Sequence, residues 1–322
     1  MERFISLTLN PCIDKTMFFK NSFRAGELNR AQDSLMSAGG KGINVSRVLK
    51  RFDIYAPSFS FEGGETGRLL MALLKLEELP AYFQPCSSET RMCVKMIDEN
   101  GGCTEANETG GPFTEGEFRK LTDEFCNYTA REKSTVFLGG SIPRGIPQDA
   151  YRMLILRLSG IGARVILDAD GEALRYGLES HPLLIKPNEK ELSTLCGKKI
   201  SGKTAEERLR CAARMAKETA LKYRTQVLCT LGADGALYTD GACLYAVNAP
   251  RVPVRGFTGA GDTFLAAFVA ARSGGLPDPE ALRRGASAAA AKVASPGTEI
   301  PGKEDMERRL DEVRLLENIS VS

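Results

Sequence analysis

The sequence predicts an α/β protein with a central, mostly parallel sheet and helices on both faces. Three observations carry this. Short apolar runs alternate with helix-length segments along most of the chain. Glycine and polar residues collect after the strand ends, where open α/β sheets place their ligands. No shift in composition, internal repeat or low-complexity stretch divides the 322 residues, a length that one large α/β domain can fill. One domain over 1–322 is expected, with a β excursion contributed by about 12–34 and 90–109.

The elements follow in order. Phe4–Leu9 alternates and opens the sheet; Asn10-Pro11-Cys12-Ile13-Asp14 ends that strand and leaves Asp14 just past it. Ala38-Gly39-Gly40-Lys41-Gly42 precedes a segment in which Val45, Val48, Leu49 and Phe52 recur at helical spacing. Gly63-Gly64-Glu65-Thr66-Gly67 leads into a helix over roughly 66–77. Thr90–Asp98 alternates, Glu99-Asn100-Gly101-Gly102 turns, and Cys103–Asn107 returns, a hairpin signal. Arg91, Cys93 and Lys95 share one face of it, and a solvated outer face is the plainer reading. Strands follow at Ser134–Leu138, Ala163–Leu167, Leu183–Ile185 and Gln226–Thr230, with Ala236–Tyr238 pairing back. Helices are expected over 148–158, 203–221, 265–271 and 286–294, and a charged amphipathic helix over Glu304–Asn318.

Composition narrows the function. Apolar residues make up 43% and charged residues 26%, with net charge +2 spread along the chain. That gives no case for nucleic acid or a membrane surface as partner, and no apolar run approaches the ~20 residues that span a bilayer. The N-terminal run is too short for a signal peptide. The nine cysteines are odd in number and none has Cys-x-x-Cys spacing, which reads as free thiols in a reducing cytoplasm with neither a disulfide framework nor a zinc site indicated. With His181 the only histidine, a Ser-His-Asp triad or a multi-histidine metal site is disfavoured, and a carboxylate is the expected general base.

The chemistry gathers at Gly256-Phe257-Thr258-Gly259-Ala260-Gly261-Asp262. Glycines let backbone approach a ligand, and the free N–H groups at the following helix start suit an anion. Asp262 at that start reads as a helix cap or a catalytic base. Gly39, Gly40 and Lys41 open a second helix in the same manner, without a Walker A pattern.

Taken together, Gly259-Ala260-Gly261-Asp262, Gly39-Gly40-Lys41-Gly42-x-Asn44, Lys186-Pro187-Asn188-x-x-Glu191 and Leu231-Gly232-x-x-Gly235 resemble the signatures of the ribokinase-like sugar kinases of the phosphofructokinase B family, in order and over essentially the whole chain. Thr8-Leu9-Asn10-Pro11 with Asp14, Gly26-Glu27-Leu28-Asn29-Arg30, Thr90-Arg91 and Gly140-Ser141-Ile142-Pro143 look most like the branch that phosphorylates sugar phosphates. The resemblance implies ATP as co-substrate, with Mg²⁺, and fructose 1-phosphate as first acceptor and tagatose 6-phosphate as second. Asp262 would take the hydroxyl proton, kept ionised by the helix dipole, while Gly259, Ala260 and Gly261 hold the phosphoryl oxygens. Asp14, Gly39, Gly40, Asn44 and Ser141 would face the sugar, and Lys41, Arg91, Lys95 and Arg144 its phosphate. Lys186, Asn188, Thr230, Gly232, Gly235 and Thr258 would line the nucleotide, and Glu191 would orient Mg²⁺ through water. The β excursion would form a lid, by which such kinases often pair into homodimers.

Some residues depart from the branch. Cys93 stands where Asn is common, Gly139 where Ser is usual, and Phe257-Thr258 and Thr263 follow the wider sugar-kinase form. A free-sugar or nucleoside kinase of the same fold, and a non-catalytic sugar or nucleotide sensor, are the alternatives; intact Asp262 and its glycines argue against the sensor. A Rossmann dehydrogenase lacks its Gly-x-Gly-x-x-Gly after the first strand.

Overall fold

The computed structural model describes residues 2–100, 102–256, 258–316 and 319. The strands are β1 (Arg3–Thr8), β2 (Cys12–Phe19), β3 (Asp33–Gly39), β4 (Ser58–Glu62), β5 (Ala81–Pro85), β6 (Arg91–Asp98), β7 (Cys103–Asn107), β8 (Ser134–Gly139), β9 (Arg164–Asp168), β10 (Leu184–Ile185), β11 (Gln226–Thr230), β12 (Ala236–Thr239) and β13 (Leu244–Val247). The helices are α1 (Lys41–Arg51), α2 (Gly64–Leu76), α3 (Glu115–Thr129), α4 (Ala150–Gly160), α5 (Gly171–Leu178), α6 (Glu189–Cys196), α7 (Ala205–Tyr223), α8 (Ala260–Ser273), α9 (Asp278–Ala294) and α10 (Lys303–Glu307).

The main sheet runs β13-β12-β11-β10-β9-β8-β1-β4-β5. Every pairing from β5 across to β11 is parallel, and β12 and β13 add on antiparallel. Side chains alternate across it. Ile5, Leu7, Val136, Leu138, Val165 and Leu167 pack with α3, α4, α5 and α7 on one side. Phe4, Phe137 and Ile166 pack with α1, α8 and α9 on the other. The expected α/β class, mostly parallel with both faces covered, is the one adopted. Ser6 and Thr8 complete the second face of β1, and their size lets α1 lie close. Ser6 Oγ and Ser46 Oγ are 2.8 Å apart, and a Cβ on Gly42 would come within 2.7 Å of Thr8 Oγ1.

A second, smaller sheet runs β3-β2-β6-β7. Here β2 and β6 are parallel, and β3 and β7 flank them antiparallel. Two expectations are corrected by it. Asp14 does not follow a strand end; it lies inside β2, opposite Ser37 of β3 and Cys93 of β6, because the chain beyond Pro11 finds ladder partners on both sides. The Arg91–Cys93–Lys95 face is not solvated either: Cys93 and Lys95 are buried, turned toward Asp14. The hairpin joining β6 and β7 is as expected, although Gly101 in its turn lies outside the described residues.

The helix expected over Glu304–Asn318 does not form. α10 spans only Lys303–Glu307, a 3₁₀ turn follows at Leu310–Glu312, and Leu315 bridges Val247 antiparallel. Arg283 of α9 takes the carbonyls of Leu310 and Val313, and Asn248 binds Glu312 O and Arg314 N. These tertiary bonds replace the helical ladder and override local propensity. Glu317 and Asn318 lie outside the described residues.

Candidate active site

Two helix N-termini meet at the C-terminal ends of the parallel strands. Gly40 is the N-cap of α1 (φ 125°) and Gly259 that of α8 (φ 81°), and neither helix start has a side-chain cap. Backbone at such φ favours glycine. First-turn N–H groups therefore face the space between the helices, with both positive dipole ends converging there. Asn44 in the first turn of α1 donates its Nδ2 to Asp262 Oδ2 in the first turn of α8, at 2.7 Å.

Asp168, at the end of β9, lies at the centre. Lys41 Nζ is 2.6 Å from its Oδ1 and Lys186 Nζ 3.0 Å from its Oδ2. Burial opposes the Asp168 charge, but Lys186 and then Lys41 outweigh it and hold the carboxyl below the usual carboxylate range. Lys41 is moved the other way: burial disfavours its charge, yet Asp168, Glu191 and Asp262 raise the ammonium above its ordinary value. Asp262 differs from Asp168. Burial first, then the neighbouring Asp168 charge, raises its carboxyl, with Lys41, Lys186 and Asn44 acting against the rise. A carboxyl kept ionised by the helix dipole was expected; burial instead raises it. Gly261 lies close beside it: a Cβ there would stand 3.0 Å from Lys186 Nζ.

The sugar-side residues form two groups. In the first, Asp14 forms a buried ion pair with Lys95, and Gly39 passes over it so closely that a Cβ would lie 2.5 Å from Asp14 Oδ2 and 2.7 Å from Cys12 Sγ. In the second, Arg91 donates to the carbonyls of Asn10 and Glu108, and Arg144 to those of Gly110 and Gly111. Asn10 Nδ2 joins this group to Ser141 Oγ at 2.9 Å. Arg91 and Arg144 therefore flank one segment, Lys95 belongs to Asp14, and Lys41 belongs to Asp168. A Cβ on Gly139, at the end of β8, would stand 3.1 Å from Asp168 O and 3.2 Å from Lys41 Cβ, so a serine there would be tight against both.

On the other side, Asn188 and Glu191 make a reciprocal capping box at the start of α6, with Asn188 N to Glu191 Oε2 at 2.8 Å and Glu191 N to Asn188 Oδ1 at 2.9 Å. Asn188 also bridges Thr230 in parallel fashion. A cleft of about 960 Å³ is bounded by Asn188, Thr230, Gly232 and Ala260 among others. Gly235 stands apart from it: its positive φ and an approach to Val247 O of 2.1 Å from a built Cβ tie it to the end of β13. Thr258 is half-buried in the turn before α8, while Phe257 lies outside the described residues. Arg208 fixes this wall by pairing with Glu189 and Asp234, each at 2.5 Å.

Sequence reasoning missed three residues here. Asp168 follows a strand within Asp168-Ala169-Asp170, a strand-end carboxylate that the motifs did not include. Asn10 was read as the end of a strand and as part of the Thr8-Leu9-Asn10-Pro11 run, without a role in the site. Lys292 of α9 is wholly buried, with Nζ on Gly297 O at 2.8 Å and Cε 3.6 Å from the built Cβ of Gly259. Burial, then Arg47, pushes its ammonium down to about 8. His181 plays no part; its Nδ1 meets Tyr223 O at 2.7 Å, ahead of β10 and away from the strand C-termini.

Comparison with known proteins agrees with this geometry. The family model described as pfkB family carbohydrate kinase matches residues 7–305. A 1-phosphofructokinase of Bacillus subtilis is 33% identical over 310 residues, covering 96% of this chain and 98% of that protein. The crystal structure of Escherichia coli phosphofructokinase-2 in complex with fructose-6-phosphate superposes with TM-score 0.85 at 27% identity, covering 97% of this chain and 99% of the other. A ribokinase of Thermotoga maritima shares the fold, with TM-score 0.74 at 22% identity over 96% of this chain and 99% of that one.

Proposed function

Because the chain belongs to the pfkB family of carbohydrate kinases, we propose that it transfers the γ-phosphoryl group of ATP to fructose 1-phosphate, giving fructose 1,6-bisphosphate. The broader activity, phosphotransfer to a sugar phosphate, follows from the family and its relatives. The observation that carries the mechanism is Asp262, buried at an uncapped helix start and bonded to Asn44.

In this reading Asp262 takes the proton of the attacking hydroxyl, and its raised carboxyl makes it a stronger base than an ordinary aspartate. The N–H groups of Gly259, Ala260 and Gly261 receive the charge on the transferring phosphoryl oxygens. Asp168 is a positioning residue that holds Lys41 on one of its oxygens and Lys186 on the other. Asp14, Gly39, Gly40 and Asn44 orient the sugar; Arg91 and Arg144, with Ser141, answer its phosphate, while Lys95 is held on Asp14 and Lys41 on Asp168. Asn188, Thr230, Gly232 and Thr258 border the nucleotide, with Gly235 held apart at the end of β13. Glu191 uses Oε2 in its cap, and its other carboxylate oxygen, a hard ligand of the kind Mg²⁺ takes, would hold the ion through water, where the ion would offset charge on the phosphates.

The second sheet serves as the lid that excludes water from the transfer. The exposed Leu35 and Met36 on β3 support a homodimer formed through it. Among the described residues no helix is long and apolar enough to cross a membrane, and with nine unbridged cysteines a cytoplasmic setting is proposed.

The test is ADP release with Mg-ATP against fructose 1-phosphate, tagatose 6-phosphate, fructose 6-phosphate and unphosphorylated fructose. A kcat/KM preference for fructose 1-phosphate of about tenfold or more, some 1.4 kcal/mol in transition-state binding, is expected. Turnover of fructose alone would overturn the sugar-phosphate assignment.

A further inference from the structure

Cys12, Asp14 and Cys93 are brought together by the pairing of β2 with β6, though 81 positions separate Cys12 from Cys93 in sequence. Each is buried, and one ligand atom from each lies within 4.8 Å of the other two. Cys12 Sγ is 3.8 Å from Asp14 Oδ1. Both of Asp14's partners, Cys12 and Lys95, bond Oδ1, so Oδ2 has no partner among the described residues. Gly39 lies directly against it, glycine being the one residue type that leaves room for both Asp14 Oδ2 and Cys12 Sγ.

We propose that Cys12, Asp14 and Cys93 form a three-ligand site for a thiophilic divalent cation of the zinc class, and that this cation and the sugar exclude one another at Asp14. A tetrahedral zinc with sulfur at about 2.3 Å and oxygen at about 2.0 Å needs its ligand atoms roughly 3.5–3.8 Å apart, a small contraction from the spacing seen. Three protein ligands leave a fourth position open to water. Two thiolates select a soft or borderline ion, whereas Mg²⁺ demands oxygen ligands, so this site is separate in kind from one at Glu191. Ligation forms two metal–sulfur bonds and one metal–oxygen bond, and releases the two thiol protons to solvent. A disulfide is not the alternative. Cys12 stands opposite Arg91, and Cys93 opposite Asp14, so the two cysteines are offset by two positions. With strands about 4.8 Å apart and about 3.3 Å rise per residue, their Cα atoms are roughly 8 Å apart, beyond the reach of a bridge.

The exclusion of sugar rests on the proposed placement of the acceptor beside Asp14; the metal site does not. Co²⁺ is therefore titrated into the full chain carrying Cys103→Ser and Cys243→Ser, which removes the exposed thiols. One equivalent should give thiolate charge-transfer absorption and the visible bands of tetrahedral cobalt. Cys93→Ser and Cys12→Ser should each weaken Co²⁺ binding at least tenfold; Cys93→Ala serves if the serine variant does not fold. Absence of the bands, or bands unchanged in these variants, overturns the site and leaves the kinase assignment untouched. In turnover, Zn²⁺ should raise the apparent KM for the sugar phosphate in competitive fashion, and Cys93→Ser should abolish that effect. Cobalt bands that persist at saturating sugar phosphate would uphold the metal site and overturn the exclusion, and with it the placement of sugar at Asp14.

Discussion

Asn44 and Asp262 are 218 positions apart in sequence, yet their side chains meet at 2.7 Å between two helix starts. The amide occupies Asp262 Oδ2 and leaves Oδ1 as the oxygen that can receive a proton. Asp262→Asn should lower kcat by about 10³-fold or more, in the upper part of the range for a lost general base, with ATP binding by calorimetry changed less than about threefold. A variant that keeps most of its turnover would remove Asp262 from the mechanism.

The pH profile should report the neighbours of Asp262. The base works only when deprotonated, so kcat/KM falls as pH drops through its raised pKa. Lys41 holds that pKa down, and Lys41→Met should move the acid limb to higher pH. The Asp168 charge pushes it up, and Asp168→Asn should move the limb to lower pH. Shifts in the same direction for both variants would contradict the assignment of the limb to Asp262.

Arg91 grips the carbonyls of Asn10 and Glu108 beside Arg144's own partners. Arg91→Ala should raise KM for a sugar phosphate on the order of tenfold or more, the scale of a lost charge-assisted contact, with a smaller change in kcat. An unchanged KM, read in initial-rate kinetics, would place the substrate phosphate elsewhere.

Lys292 ties stability to alkaline pH. Its folded-state pKa is depressed to about 8, below an unfolded value near 10.4. Between these values the unfolded chain binds more protons, so this lysine makes stability rise with pH through that window and contributes no slope below it. The rise is on the order of 3 kcal/mol from the size of the shift. Urea unfolding at pH 8 and pH 10 should show wild type gaining relative to Lys292→Met. Parallel behaviour of the two proteins would mean the ammonium is better solvated than its burial implies.

Much of this was legible in the sequence. Val45, Val48 and Leu49 fall on the buried stripe of α1, and Gln226–Thr230 is a strand to the residue, because periodicity is local. The glycine turns were readable for the same reason. Pairing between distant strands was not. Nothing local says that Cys12–Phe19 lies beside Arg91–Asp98, so the burial of Lys95 and the place of Asp14 within a strand were hidden. Asp168 was hidden by context: its importance comes from two lysines, 127 and 18 positions away, that only the sheet brings together. Asn188 and Glu191 carried a readable Asn-x-x-Glu cap, which the stronger motif around them obscured.

The bridge from Leu315 to Val247 has a consequence for synthesis. β13 is the outer strand of the main sheet, and its partner, Leu315, is synthesised 68 residues after Val247. Until then the strand's free N–H and C=O groups are open to any extended segment nearby, including one from a neighbouring nascent chain. The grip of Arg283 and Asn248 on the tail therefore acts late, as a latch that shuts a template for misassembly.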